Sequence, residues 1–289
     1  MILITGATGT TGRDVINELT RLGAVGVRVM VRDASRGELV REAGFELVEG
    51  DFDRPETLDA ALWSVERAFL LTPPSPQTTE QQSRFFEAAR RAGVRHVVKF
   101  SAFGASPAAP GGFAKWHGDA EEELKASGLD YTMLRPNFFM QNLLGQAQAI
   151  AAEGRIYQPV GEARASFVDT RDVAAVAARV LTEDGHEGRA YDITGPEALS
   201  YRDVAERLSA AAGREITYVP ISPEEFRRGA LAAGLPEWLA DALGLLNETF
   251  ADGRAAAVTD VVREVGKTEP HTFEQFARDH AAAFQSRES

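Results

Sequence analysis

Short apolar runs rich in β-branched residues alternate with amphipathic, helix-compatible stretches over the first half of the chain. The runs occupy residues 1–4, 25–31, 45–48, 68–72, 96–100 and 131–134, and the helical patterns 13–22, 34–43, 58–62, 80–92 and 113–126. Runs that are apolar throughout, rather than at every second position, fit strands covered on both faces. His96–Phe100 is the plainest of them, broken only by Lys99. Strand and helix taking turns with short links predict an α/β fold, a doubly wound parallel sheet of the Rossmann type.

Beyond the sixth run, 141–152 reads as a helix, 154–159 as a strand, and 165–168 as a return to the body of the protein. Asp169-Thr170-Arg171-Asp172 opens an alanine-rich helix over 173–181, with Asp169 or Thr170 as its cap. A further strand follows at 191–194. Ser200 starts a helix over 201–212, Gly213 ends it, and 216–220 is a strand outside the core. Ser222-Pro223-Glu224-Glu225 is a cap, a proline and an acidic first turn in the order a helix requires. Residues 231–250 and 272–284 then read as helices separated by 251–270. The expected organisation is a core over 1–155 and a smaller, mainly helical C-terminal substrate lobe over 156–289, with 165–195 packing back on the core.

The first apolar run leads directly into Thr5-Gly6-Ala7-Thr8-Gly9-Thr10-Thr11-Gly12. Strand, glycine turn and helix in that order form a dinucleotide-binding signature, and each glycine has a physical use. Gly6 lets the chain leave the strand in a conformation closed to a Cβ, Gly9 lets a diphosphate approach the backbone, and Gly12 lets the helix sit close to the sheet. Thr8, Thr10 and Thr11 share the loop, whose helix end offers free N–H groups and a positive dipole to phosphate.

The residue that reads the ribose in such a fold lies about 20 positions past the last glycine. Here that residue is Arg32, whose guanidinium can pair a 2′-phosphate, so NADP(H) is the expected cofactor. Asp33 beside it leaves NAD(H) possible. Asp51 and Phe52 end the third run, where Asp51 can accept a hydrogen bond from an adenine amino group, while Asp53-Arg54-Pro55-Glu56 starts a helix. Leu71, Thr72 and Pro73 stand at the mouth of the fourth run and complete the expected cofactor contacts. Pro73-Pro74-Ser75-Pro76 then fixes an extended loop over the edge where ligands sit in open parallel sheets.

With 31 basic and 43 acidic residues the formal charge is −12, and no basic patch relieves it, so neither nucleic acid nor a membrane surface is an expected partner. Cysteine is absent, and the five histidines never fall at metal-ligand spacing, so no metal is expected and a cytoplasmic location is the simpler reading. The expected partner is a small molecule, bound by a monomer or homodimer.

Eight stretches, taken in order, are similar to the short-chain dehydrogenase/reductase superfamily. They are TGATGTTG (5–12), VRVMVRD (27–33), GDFDRPETL (50–58), RAGVRHVVKFSA (91–102), KWHGDAEEEL (115–124), SGLDYTMLRPNFFMQN (127–142), FVDTRDVA (167–174) and YDITGPEALSYRDVAE (191–206). More narrowly they resemble its NmrA-like atypical branch, which includes NADPH-dependent quinone oxidoreductases, triphenylmethane reductases and redox-sensing regulators. Ketone reducers of the superfamily carry a Tyr and a Lys four residues apart on the helix after the fifth strand. The resemblance puts Phe113 and His117 at those places, so the phenolic acid is absent and His117 becomes the catalytic candidate, with a ribose contact as its other role. Ser101, at the strand mouth, is expected to bond the carboxamide or a substrate oxygen. Glu121 belongs to an acidic run that reads as a solvated helix face. In the resembled family the turn at Pro136, Asn137 and Phe138 lies against the nicotinamide. Phe103, Trp116, Phe139, Met140 and Trp238 are the expected substrate surface. These implications point to an NAD(P)H-dependent reductase of a conjugated acceptor; a non-catalytic NAD(P)-binding sensor, or a ketoreductase or epimerase with relocated acid–base groups, are the alternatives.

Overall fold

Parallel strands cannot be joined by tight turns, so each needs a crossover, and the alternating sequence supplies one after almost every strand. The computed structural model describes residues 1–285. In chain order its elements are β1 (Ile2–Ile4), α1 (Thr10–Arg21), β2 (Val27–Val31), α2 (Glu38–Glu42), β3 (Glu46–Glu49), α3 (Leu58–Leu62), β4 (Arg67–Leu70), α4 (Thr78–Ala92), β5 (His96–Phe100), α5 (Gly112–Ala126) and β6 (Asp130–Pro136). There follow α6 (Ala147–Glu153), β7 (Arg155–Gln158), β8 (Arg164–Ala165), α7 (Thr170–Thr182), β9 (Arg189–Ile193), β10 (Leu199–Ser200), α8 (Tyr201–Ala212), β11 (Thr217–Pro220), α9 (Pro223–Ala232), α10 (Glu237–Ala251), α11 (Val261–Glu264) and α12 (Phe273–Asp279).

Seven strands form one parallel sheet in the order β3-β2-β1-β4-β5-β6-β9. The direction of winding reverses between β1 and β4, which opens a crevice at the C-terminal ends of those strands. On one face Ile4, Val29, Val98 and Leu134 pack with Val15, Ile16 and Leu19 of α1 and with α7. On the other, Leu3, Val97 and Met133 pack with α3, α4 and α5 through Leu62, Phe85 and Leu124. A separate core holds Met140, Phe167, Tyr201, Phe250 and Phe273 beneath α8, α10 and α12.

Several expected boundaries shift for local reasons. The strand read over 25–31 begins at Val27, because Gly26 turns with φ +67° and Val25 is 88% exposed. The helix read over 34–43 divides into a 3-10 turn, Ala34–Arg36, and α2, since Asp33 accepts from the Ser35 N–H and Gly37 interrupts. Residues 141–152 likewise become a 3-10 stretch, Met140–Gln146, followed by α6. The helix read over 231–250 is two helices, broken at Gly234 (φ +86°) and restarted after Pro236. Within 251–270 a short α11 forms, and its Val262 lies in the core with α7. The expected caps form: Asp169 accepts from Arg171 N–H, and Ser200 and Ser222 build capping boxes.

Asp172, fully buried on α7, accepts from the His271 N–H at 2.9 Å and pairs with its Nδ1 at 2.6 Å, tying the C-terminal segment to the sheet body. No helix among the described residues is long and apolar enough to cross a membrane.

Candidate active site

Because β1, β4, β5 and β6 are parallel neighbours, the loops after them all leave the same edge of the sheet. Thr5 ties the first two together, its hydroxyl accepting from Leu71 N–H at 2.9 Å. The three glycines of the first loop separate cleanly by what a side chain would meet. Gly6 has φ +70°, and a Cβ there would lie 2.7 Å from the Leu71 side chain; a Cβ on Gly12 would lie 2.2 Å from the Gly6 carbonyl oxygen. Those two are required by the fold. At Gly9 a Cβ would meet only Gly6 O, at an ordinary 3.5 Å. Gly9 is exposed and extended at the N-cap of α1, and no side chain caps the first N–H groups of that helix. A loop kept bare where the protein itself does not need it fits a diphosphate.

Thr8, Val31, Arg32 and Asp33 line a cavity of about 270 Å³, so the expected phosphate reader adjoins the glycine loop. Asp51 is half-buried, with Oδ1 accepting from Asp53 N–H at 3.0 Å. Phe52 corrects its expectation, since its ring is buried against Phe85 with centroids 6.0 Å apart. Thr72 is buried and accepts from Gln82 Nε2 at 2.8 Å, while Leu71 and Pro73 remain partly or fully exposed at the strand mouth.

The largest departures concern the charges between β5, α5 and β6. Ser101 is buried and donates to Glu121 Oε1 at 2.5 Å, which leaves its proton unavailable to a carboxamide or substrate. Glu121 is 1% exposed rather than on a solvated face. Arg135 Nε donates to its Oε1 at 2.9 Å and Arg135 Nη2 to its Oε2, a two-pronged pair. Burial works to raise the Glu121 pKa, but the hydrogen bonds from Arg135 and Ser101 prevail and hold it below the usual carboxylate value. The expected turn at Pro136, Asn137 and Phe138 starts one residue later, because β6 stays paired with β9 through Pro136 and Ile193.

Lys99, which sequence reasoning passed over as an exception in an apolar strand, is fully buried with its Nζ 3.0 Å from His117 Nδ1. Burial pushes its pKa down to about 7, against the pull of Glu121 and with the help of Arg135. Burial first, then the Lys99 charge, keeps His117 well below its ordinary value, so the imidazole is neutral. That lone lysine was the available signal; its partner on another element was not.

Asn137 is also corrected. Its Nδ2 donates to Ser166 Oγ at 2.7 Å and to Ala255 O at 2.8 Å, and its Oδ1 accepts from Phe138 N–H at 3.0 Å. The side chain holds a bend and is not offered to a carboxamide. Pro136 O accepts from Phe103 N–H at 2.9 Å. Met140 is 1% exposed in the C-terminal core, and Phe138 packs there on Phe250 with centroids 5.0 Å apart. Phe139 stacks on Phe100 at 6.2 Å and stays half-buried. Trp116 and Trp238, distant in sequence, meet at 6.1 Å, and Phe113 stands edge-on to Trp116 at 5.5 Å. Leu245 of α10 lies close over Gly111, so α10 roofs the start of α5. No group of three metal-ligating side chains occurs among the described residues.

A doubly wound sheet with such a loop at its first crossover defines a dinucleotide-binding Rossmann protein. Residues 1–277 match the profile of the NmrA-like family, and the chain belongs to that family. It is 41% identical over 284 residues to an NAD(P)H azoreductase of Xenophilus azovorans, covering 98% of this chain and 99% of that one. An Escherichia coli NADPH-dependent quinone oxidoreductase complexed with NADPH superposes with TM-score 0.90 at 29% identity, over 96% and 99% of the two chains. A Citrobacter sp. triphenylmethane reductase complexed with NADP(H) gives TM-score 0.86 at 26% identity, over 97% and 100%.

Proposed function

We propose that this protein is an NAD(P)H-dependent oxidoreductase, with NADP(H) preferred, that reduces a conjugated small-molecule acceptor of the quinone or dye type. The observation that carries the reading is Gly9, open to a guest at the uncapped start of α1 beside the Arg32 cavity. The backbone N–H groups of Thr10, Thr11 and Gly12 hold the diphosphate, Arg32 pairs the 2′-phosphate, and Asp51 faces the adenine. When bound, the reduced nicotinamide supplies a hydride. Phe113 cannot donate a proton, so the site lacks the phenolic acid with which ketone reducers protonate an isolated carbonyl. A quinone, azo compound or cationic dye spreads the arriving charge over its π-system, and orientation then supplies much of the catalysis. Phe113, Trp116 and Trp238 give such a flat acceptor its surface. The names of the azo, quinone and dye reductases above support the same acceptor class.

The test is continuous loss of NADPH absorbance with a panel of quinones, azo dyes and triarylmethane cations. Turnover with at least one class is expected; inertness toward all of them contradicts the reading. In Arg32→Ala the Kd for NADPH should rise roughly 30–150-fold, since a charge-assisted pair contributes about 2–3 kcal/mol. NADH should change by no more than about threefold. Equal weakening of both would remove Arg32 from phosphate recognition.

A further inference from the structure

Hydride transfer alone gives no role to the pair formed by Lys99 and His117, although burying an ammonium group is costly and the fold keeps it. Lys99 shares its face of β5 with Ser101, its register partners Leu70 on β4 and Met133 on β6 are apolar, and its polar contacts are His117 Nδ1 at 3.0 Å and Phe100 O at 3.4 Å. The charged groups acting on it are Glu121 on α5 and Arg135 on β6, which are bonded to each other. Lys99 donates to Nδ1, which fixes the imidazole proton on Nε2. That nitrogen makes no hydrogen bond to any described residue, and the His117 side chain is half-buried. His117 stands one turn past Phe113 and next to Trp116, at the aromatic surface.

We propose that Lys99 and His117 form a proton relay ending on the acceptor, which suits the site to azo compounds, whose reduction by hydride leaves a basic nitrogen anion. This rests on the reductase reading. The N=N bond takes the hydride and its electron pair at one nitrogen and is reduced by two electrons, while the cofactor is oxidised by two. The negative charge falls on the other nitrogen. His117 gives that nitrogen its Nε2 proton, and Nδ1 takes a proton from the Lys99 ammonium, whose N–H electron pair stays on Nζ. The product is a hydrazine, and the pair resets when His117 Nε2 takes a proton from solvent and Nδ1 returns its own to the buried Lys99. A neutral imidazole conducts protons without storing them, and a lysine titrating at about 7 can be reloaded near neutral pH. Lys99 acts through His117 and is a positioning and proton-supplying residue.

A triarylmethane cation tests this directly, because hydride converts it to a neutral product and no proton is needed. With an azo dye, kcat of the wild type should fall about tenfold per pH unit once Lys99 deprotonates, and with the cation it should not. Lys99→Met, which keeps an apolar chain of similar length, should lower azo kcat about 100-fold and remove that pH limb. Its loss on the cation should stay within about threefold. His117→Gln, which bonds but cannot pass a proton on, should show the same selectivity. Losses equal for the two acceptors, in a wild type active on both, would overturn the relay alone. Inertness toward azo dyes in a wild type that reduces the cation or a quinone would also overturn the relay alone, whereas inertness toward quinones, azo dyes and the cation alike would overturn the reductase reading and the relay with it. Nitrogen-15 spectra of the imidazole add a readout free of turnover: the Nε2–H tautomer supports the pair, and the Nδ1–H tautomer overturns it.

Discussion

Gly9→Val is expected to abolish NADPH binding while leaving the fold intact. The backbone there has φ −84° and ψ 171°, an extended conformation open to a β-branched residue, and its Cβ would meet only Gly6 O at 3.5 Å. The side chain instead fills the space a diphosphate needs. Two charge-assisted bonds lost from backbone N–H groups cost about 3–6 kcal/mol, roughly 10²–10⁴-fold in affinity. Gly12→Ala is the contrast, since its Cβ would fall 2.2 Å from the Gly6 carbonyl and force the turn apart. Titration with NADPH and a melting curve on each variant separate the two: affinity falls alone for the first, and stability falls for the second. A Gly9→Val protein that binds NADPH normally would mean the loop holds no diphosphate.

The second large effect belongs to Glu121→Ala. Removal strips Arg135 of both its bonds to this carboxylate and Ser101 of its acceptor in a buried setting, and breaking such a pair from one side costs about 2–4 kcal/mol. The melting temperature should drop by roughly 3–7 °C for a chain of this size. The sign of the pH dependence follows from the lowered Glu121 pKa. A carboxyl held below its unfolded value of about 4.3 stabilises the fold fully above that pH and loses its contribution as pH falls through the folded pKa. Wild type and variant should therefore differ by a constant amount near neutrality and converge in acid. A gap that widens in acid would assign the charge to another group.

Local chemistry explains what the sequence made legible. The glycine loop, the alternation of strand and helix, and the caps at Asp169, Ser200 and Ser222 each depend on residues a few positions apart. The charges of the site do not. Glu121 sits in the run 119–123 with nothing local to mark it, and only Arg135, on a different element, draws it inside. Met140 and Asn137 follow the same rule, since their surroundings come from Ser166, Ala255 and the C-terminal core. Lys99 was visible as an anomaly, but its meaning needed His117 brought against it by α5 packing on the sheet. Trp116 and Trp238 lie far apart in the sequence and meet only because α10 folds back over α5.

Isothermal titration of the purified protein with NADPH bears most directly on the central claim that the first loop grips a dinucleotide. Saturable heat with NADPH, weaker with NADH, is the predicted result. Absence of heat with both coenzymes, oxidised and reduced, would contradict it.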